Sequence, residues 1–118
     1  MKHLESGLQR ACVFWFRMQY PSMAKSLFSV PNGGWRSAVE AQIMKGEGVV
    51  PGVADLILLI PNGNHHALCI EMKAPKGRQS DSQKEWQKEV ERHDYAYVIV
   101  RSFEEFKQVI TDYFHDVL

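Results

Sequence analysis

A chain of 118 residues has room for one hydrophobic core and little for a second, so a single domain spanning 1–118 is expected. Hydrophobic residues make up 45% and charged residues 24%, which excludes disordered and fibrous classes. Lysine plus arginine number 14, as do aspartate plus glutamate, so the formal net charge is zero and any affinity for a polyanion must come from local clustering.

In chain order, the first predicted element is a helix from Leu4 to about Tyr20. Leu4, Leu8, Cys12, Trp15 and Phe16 recur at helical spacing, Glu5 and Gln9 lie on a neighbouring stripe, and Pro21 follows as a stop. The same segment lacks the uninterrupted apolar run and small-residue cleavage site of a signal peptide, and no stretch approaches a membrane span; a cytoplasmic location in a bacterial or phage-infected cell is expected. Cys12 and Cys69 sit in apolar segments without metal-type spacing and read as reduced core residues.

Next, KSLFSVPNGG predicts a short strand ending in a Pro-Asn-Gly-Gly turn, and WRSAVEAQIMKGEG a second helix that Gly46 and Gly48 terminate. Strands over Ala54–Ile60 and His66–Lys73 are joined by PNGNH, a loop of hairpin length. SDSQKEWQKEVERH is a third helix, with Ser80 or Ser82 placed to cap it and Gln83 or Glu85 to close the capping box. YAYVIV is a fourth strand, and SFEEFKQVITDYFHDVL an amphipathic helix with Phe103, Phe106, Val109, Ile110, Tyr113 and Phe114 on its apolar side. The order αβαββαβα predicts an α/β fold in which one mixed sheet of about four strands is flanked by helices.

The hairpin carries the chemistry. With Pro61–His65 as its loop, Ile60 faces His66, and the constant sum of facing positions sets Asp55 opposite Glu71. Alternation puts Glu71 and Lys73 on one face and Met72 on the other with Leu68 and Ile70. Taken singly, Asp55 fits a turn after Pro51-Gly52, and Glu71 and Lys73 fit a solvated strand end. Together they do not, because Asp55 opens LILLI, a run apolar on both faces.

Two opposed carboxylates repel unless something compensates them. Magnesium or manganese, held by Asp55, Glu71, the nearby Met72 backbone carbonyl and water, would do so, and either ion binds phosphate oxygens as well. Such an ion activates water and polarises a phosphodiester, while Lys73 would orient the nucleophile or neutralise developing charge.

Asp55, a hairpin, then Glu71-x-Lys73 resembles the core of the PD-(D/E)XK nuclease superfamily. With GEGVVPGVADLILLI, CIEMKAPKGRQSDSQKEW and the earlier LESGLQ and PNGG, the chain from about Leu4 to Val100 resembles the VRR-NUC family. The resemblance implies a restriction-endonuclease-like fold and a magnesium- or manganese-dependent phosphodiesterase acting on DNA. It implies Asp55 and Glu71 as metal ligands, Lys73 as catalytic lysine, Glu5 as a further acidic residue in or near the metal site, and Gln83 as a residue that positions water or phosphate. It further implies a stand-alone enzyme that works as a homodimer on branched DNA such as four-way junctions. In two places the chain departs from the family's pattern: Ala54 replaces the usual proline, and Gln79 replaces an apolar residue.

Lys73, Lys76, Arg78, Lys84 and Lys88 concentrate positive charge after the catalytic strand, as phosphate contacts would require; Arg36, with the backbone of PNGGWR, and Lys45 are further candidates. A solvated helix face explains Lys84 and Lys88 singly. His65 and His66 are expected to be exposed loop residues, since neighbours on an extended chain chelate one ion poorly. Trp15 and Trp86 are expected in core or dimer contacts, and the aromatic stripes of the first and last helices suggest surplus apolar surface for a homodimer. Two rival readings accompany the DNA endonuclease: a non-catalytic nucleic-acid-binding module that kept the fold, and a nuclease directed at RNA or at any strand.

Overall fold

The computed structural model describes residues 2–31 and 36–118, with Lys2 and His3 described by backbone alone. The Asn-Gly-Gly part of the expected turn and Trp35 lie outside the described residues. Helix α1 spans Lys2–Gln19, followed by a short 3-10 helix over Pro21–Ser26 and strand β1 over Leu27–Ser29. Helix α2 is Ala38–Gly46, β2 Leu56–Leu58, β3 Leu68–Met72, α3 Asp81–Glu91, β4 Ala96–Val100 and α4 Phe103–Phe114. The expected order is observed, with the 3-10 helix as an addition: Pro21 ends α1 but, fixed at a helical φ, starts the next turn instead of a loop.

The sheet runs β1-β2-β3-β4, antiparallel across the first three strands and parallel between β3 and β4. On one face Leu56, Leu58, Leu68, Ile70, Met72 and Val100 pack with Cys12 and Phe16 of α1 and with Phe106, Ile110 and Tyr113 of α4. On the other, Cys69 and Tyr97 pack with Ile57, Ile99 and the α3 residues Trp86 and Val90. Cys12 and Cys69 are buried free thiols, which burial pushes up to about 12 and about 11.

Leu56 pairs with Ile70 and Leu58 with Leu68, the register that places position 55 opposite 71. The ladder is shorter than expected, because residues flanking the loop bond elsewhere. Leu59 N–H donates to the Ser26 carbonyl, the Tyr113 hydroxyl donates to the Ile60 carbonyl at 2.6 Å, and His66 N–H donates to the Asp94 carbonyl. The loop tip is tied to the C-terminus: Asn62 Nδ2 donates to the Tyr113 carbonyl at 2.8 Å and Gly63 N–H to Asp116 Oδ1 at 2.6 Å.

The aromatic stripes of α1 and α4 pack on each other. Trp15 meets Tyr20, Phe103 and Phe106 edge-on at 6.0, 6.4 and 6.1 Å, and Tyr20 stands 5.1 Å from Phe114. These stripes are therefore not the surplus surface that composition suggested. The large apolar side chains left in solvent on the helices include Leu4, Phe14 and Met18 of α1 and Val39 and Ile43 of α2. Helix α2 buries none of its residues and rests on a capping box between Ser37 and Glu40.

Gly52 lies at φ +87°, and a β-carbon there would clash with the Ser82 carbonyl oxygen and meet Gln83 N at 2.8 Å. The chain leading into β2 thus runs against the first turn of α3, backbone to backbone. Gly52→Ala is expected to cost about 2 kcal/mol or more in urea unfolding, through strain at a positive φ and a backbone clash. Gly46→Ala, with open space around it, serves as the near-neutral control.

Candidate active site

At one end of the sheet the chain turns into β2 and the β2–β3 ladder stops. Met72 N–H there faces the β2 side with no strand carbonyl to receive it. Asp55 Oδ2 accepts it at 2.7 Å, so this carboxylate ends the ladder as a side-chain cap. The Asp55 carbonyl accepts from Val30 N–H at 2.9 Å, tying the same residue to the segment after β1. Asp55 is held from both sides.

Glu71 is 2% exposed, so the solvated strand end is not its environment. Its Oε2 accepts from Gln83 Nε2 at 2.9 Å, and Lys73 Nζ stands 3.7 Å from the same oxygen. Gln83 reaches Glu71 because its other amide atom is committed. Ser80 caps α3, its hydroxyl accepting from Gln83 N–H, while Gln83 Oε1 accepts from Ser80 N–H at 2.8 Å. The capping box thereby turns the amide nitrogen of Gln83 toward the carboxylate.

Burial raises the pKa of Asp55, with the Met72 hydrogen bond opposing it. Glu71 is pushed up to about 8, first by burial and then by the Asp55 charge, with Lys73 pulling it down. Without a cation, the pair is stable when it shares a proton. With both carboxylates ionised, Glu71 Oε1 is buried without a hydrogen-bond partner, and in the metal-free protein only the proton shared with Asp55 serves it. An orphaned carboxylate oxygen beside a second carboxylate is the donor set that a hard divalent cation fits.

Glu5 shares a cleft wall with Asp55, and its charge raises both Asp55 and Glu71. Among the described residues no group of three or more His, Cys, Asp and Glu side chains gathers as a metal-holding cluster. Asp55 and Glu71 are the close pair, with Glu5 further along the cleft. The Met72 side chain is buried in the core, leaving only its backbone on the site side. His66 is exposed as expected, but His65 is half-buried with its Nδ1 enclosed and unpartnered.

Lys76, Arg78, Lys84 and Lys88 are exposed, the first two on the loop after β3 and the last two on α3. The loop carrying the first two is fastened by Arg101, whose Nη1 donates to the carbonyls of Ala74 at 3.0 Å and Gly77 at 2.6 Å. Arg36 and Lys45 line a cleft of about 540 Å³ that also includes Asp55 and Gln83. Arg36 Nε lies 3.0 Å from Met44 Sδ. Gln79, where the chain departs from the family's pattern, is a partner for a buried tyrosine: its Nε2 donates to Tyr97 Oη at 3.2 Å and to Gln87 Oε1 at 2.8 Å.

Sequence reasoning missed Arg101, Tyr97 and the close packing of Gly52. A lone arginine after an apolar strand and a tyrosine within one carry no local signal. Pro51-Gly52 signalled a turn but not the helix against it.

The folded protein holds protons on the Asp55–Glu71 pair that the unfolded chain releases from the ordinary Glu value of 4.5 upward. Stability of the metal-free protein should therefore fall as pH rises between those two values, the loss completing above about pH 8. Thermal melts in EDTA from about pH 5 to about pH 9 should show this decline, and Glu71→Gln should flatten it. A wild-type midpoint that rises over that range would contradict the shared proton.

Among curated proteins no match was found. A solved structure described as a VRR_NUC domain protein superposes with a TM-score of 0.82 at 25% sequence identity, covering 94% of this chain and 88% of that one. Its family has the PD-(D/E)XK-type nuclease fold, in agreement with the mixed four-strand sheet and flanking helices seen here. The model of the VRR-NUC domain family matches residues 2–104. With that match and the shared fold, the chain belongs to the VRR-NUC domain family, a family of nuclease-type nucleic-acid-binding domains.

Proposed function

We propose that this chain is a divalent-metal-dependent DNA endonuclease, folded as one domain over 1–118, that cuts branched DNA such as four-way junctions as a homodimer. The observation carrying the reading is Glu71 Oε1, buried and unpartnered beside Asp55. A carboxylate pair kept at such electrostatic cost is used for chemistry more often than for stability.

Asp55 and Glu71, with the Met72 carbonyl and with Glu5 approaching along the cleft, would hold magnesium or manganese. Bound there, the ion would supply charge to a phosphodiester and lower the pKa of water. Gln83 keeps the Glu71 carboxylate in one orientation, and with Glu71 loaded it would lend its amide to a water or a phosphate oxygen. Lys73, 3.7 Å from Glu71 and with 11% of its side chain exposed, would place its ammonium against the negative charge that builds on the phosphoryl oxygens. Lys76, Arg78 and Lys84 on one side, and Arg36 and Lys45 along the second cleft, would contact flanking phosphates and set the register of the duplex.

Among end-labelled single-stranded, duplex, flap and four-way-junction DNA, the branched substrates should be cut fastest in magnesium or manganese, and all should be left intact in EDTA. Asp55→Asn keeps an oxygen to accept Met72 N–H, and Lys73→Ala removes a charge from a partly buried position. Each should fold normally and lose at least about 10²-fold in rate. A folded protein that binds DNA in EDTA and cuts none of these substrates would make the site a relic within a binding module. The homodimer should appear as twice the 13.6 kDa chain mass in light scattering. A monomer mass at micromolar concentration would remove it.

A further inference from the structure

A second groove also reaches Asp55, with a lining that shares no other residue with the cleft of Lys45 and Gln83. It has a volume of about 730 Å³ and runs between α1 and β1, which is an edge strand of the sheet. Arg10, Phe14 and Arg17 of α1 line it, at spacings of four and three that put them on one helical face. That face is turned away from the stripe of Cys12 and Phe16 that enters the core. Phe28 and Ser29 of β1 form the facing wall.

Two features of this groove lack a structural purpose. Phe14 is 67% exposed, a ring in solvent that adds nothing to the aromatic cluster of α1 and α4. Arg10 and Arg17 make no ion pair or hydrogen bond with any described residue. The carboxylates lining the groove are Glu5 and Asp55, both at the end that belongs to the candidate active site. In the remainder the charged groups are Arg10 and Arg17 and the rings are Phe14 and Phe28, among neutral residues such as Gln9 and Ser29, and the groove is continuous with that site.

A cationic track with an exposed aromatic ring is what an unpaired nucleic-acid strand recognises: phosphates meet the charges, and a base stacks on the ring without regard to sequence. A regular duplex has no free base face to offer. We infer that the α1–β1 groove holds an unpaired DNA strand leading away from the cleavage centre, with Phe14 as the stacking platform and Arg10 and Arg17 on its phosphates. This deepens the nuclease reading, on which the direction of the strand rests, and supplies a physical basis for preferring branched DNA to plain duplex. A second copy of the chain seated on Phe14 is the competing occupant, but two arginines presented face to face by a symmetric partner would repel.

The test is fluorescence anisotropy in EDTA, where no strand is cut, with labelled oligothymidine beside a blunt duplex of equal length. Phe14→Ala and Phe14→Leu should each weaken oligothymidine binding about tenfold relative to duplex, while Phe14→Trp holds it. Arg10→Gln and Arg17→Gln should each lower the salt dependence of oligothymidine binding by about 0.7 in log–log slope. Full affinity in Phe14→Leu, unchanged slopes, or a Phe14→Ala protein that turns from dimer to monomer would overturn the assignment and give the patch to a second copy. The outcome separates from that of the nuclease reading. The Phe14 pattern in a protein that cuts nothing keeps the groove and removes the nuclease, and cutting without that pattern does the reverse.

Discussion

Two carboxylates face each other across the end of an antiparallel pair, one of them almost wholly out of water, and the local structure is arranged around that fact. Moving ionised carboxylates into a protein interior costs several kcal/mol each unless they are paired, hydrogen-bonded or protonated. Here three donors are directed at the pair. Met72 N–H goes to Asp55 and the Gln83 amide to Glu71, while the Lys73 ammonium stands at a looser 3.7 Å. Even so, one oxygen of Glu71 has no partner and its pKa rises to about 8. The site is left short of positive charge, which is the condition in which a cation binds most favourably.

Holding two repelling groups in place requires a frame that does not yield, and the frame is made by contacts on the opposite face of the same strand. Ile70 and Met72 are buried beneath α1 and α4, so Glu71 and Lys73 must point the other way. A slip of one residue would drive both charges into the Phe16 and Phe106 layer and bring Met72 into the site. Hydrophobic burial on one side thus sets the charge geometry on the other. The parallel neighbour adds to the frame, since Lys73 N–H donates to the Val100 carbonyl and Arg101 holds the turn that follows.

This division explains what could be read in the chain before the structure. The facing of Asp55 and Glu71 was legible because it needs only the hairpin's constant sum and the period of two, both local. Ser80 and Gln83 announced a helix start by their spacing alone. What the spacing does not contain is that Gln83, once locked in the capping box, has an amide left over and aimed at Glu71. That depends on Gly52 bringing the start of β2 against α3. The shortened ladder was equally out of reach. Ile60 and Asn62 answer to Tyr113, some fifty positions later, and no hairpin rule weighs a competing partner at that distance. The aromatic stripes misled for a related reason. Periodicity shows that a helix has an apolar face, but whether another helix already covers that face is a property of the whole fold.

Asp55 belongs at once to the sheet, as the group that ends its ladder, and to the site, as half of the carboxylate pair. Its backbone is fastened to the segment after β1, its side chain to β3, and the residues just before it to α3. Two clefts meet at this one residue, one walled by α2 and the start of α3, the other by α1 and β1. That convergence of separate clefts on one fixed carboxylate is the geometry on which the proposal of a branched substrate rests. Where the sheet ends thus decides which clefts reach the carboxylate pair, and the two side chains it ends with decide the charge that anything entering them meets.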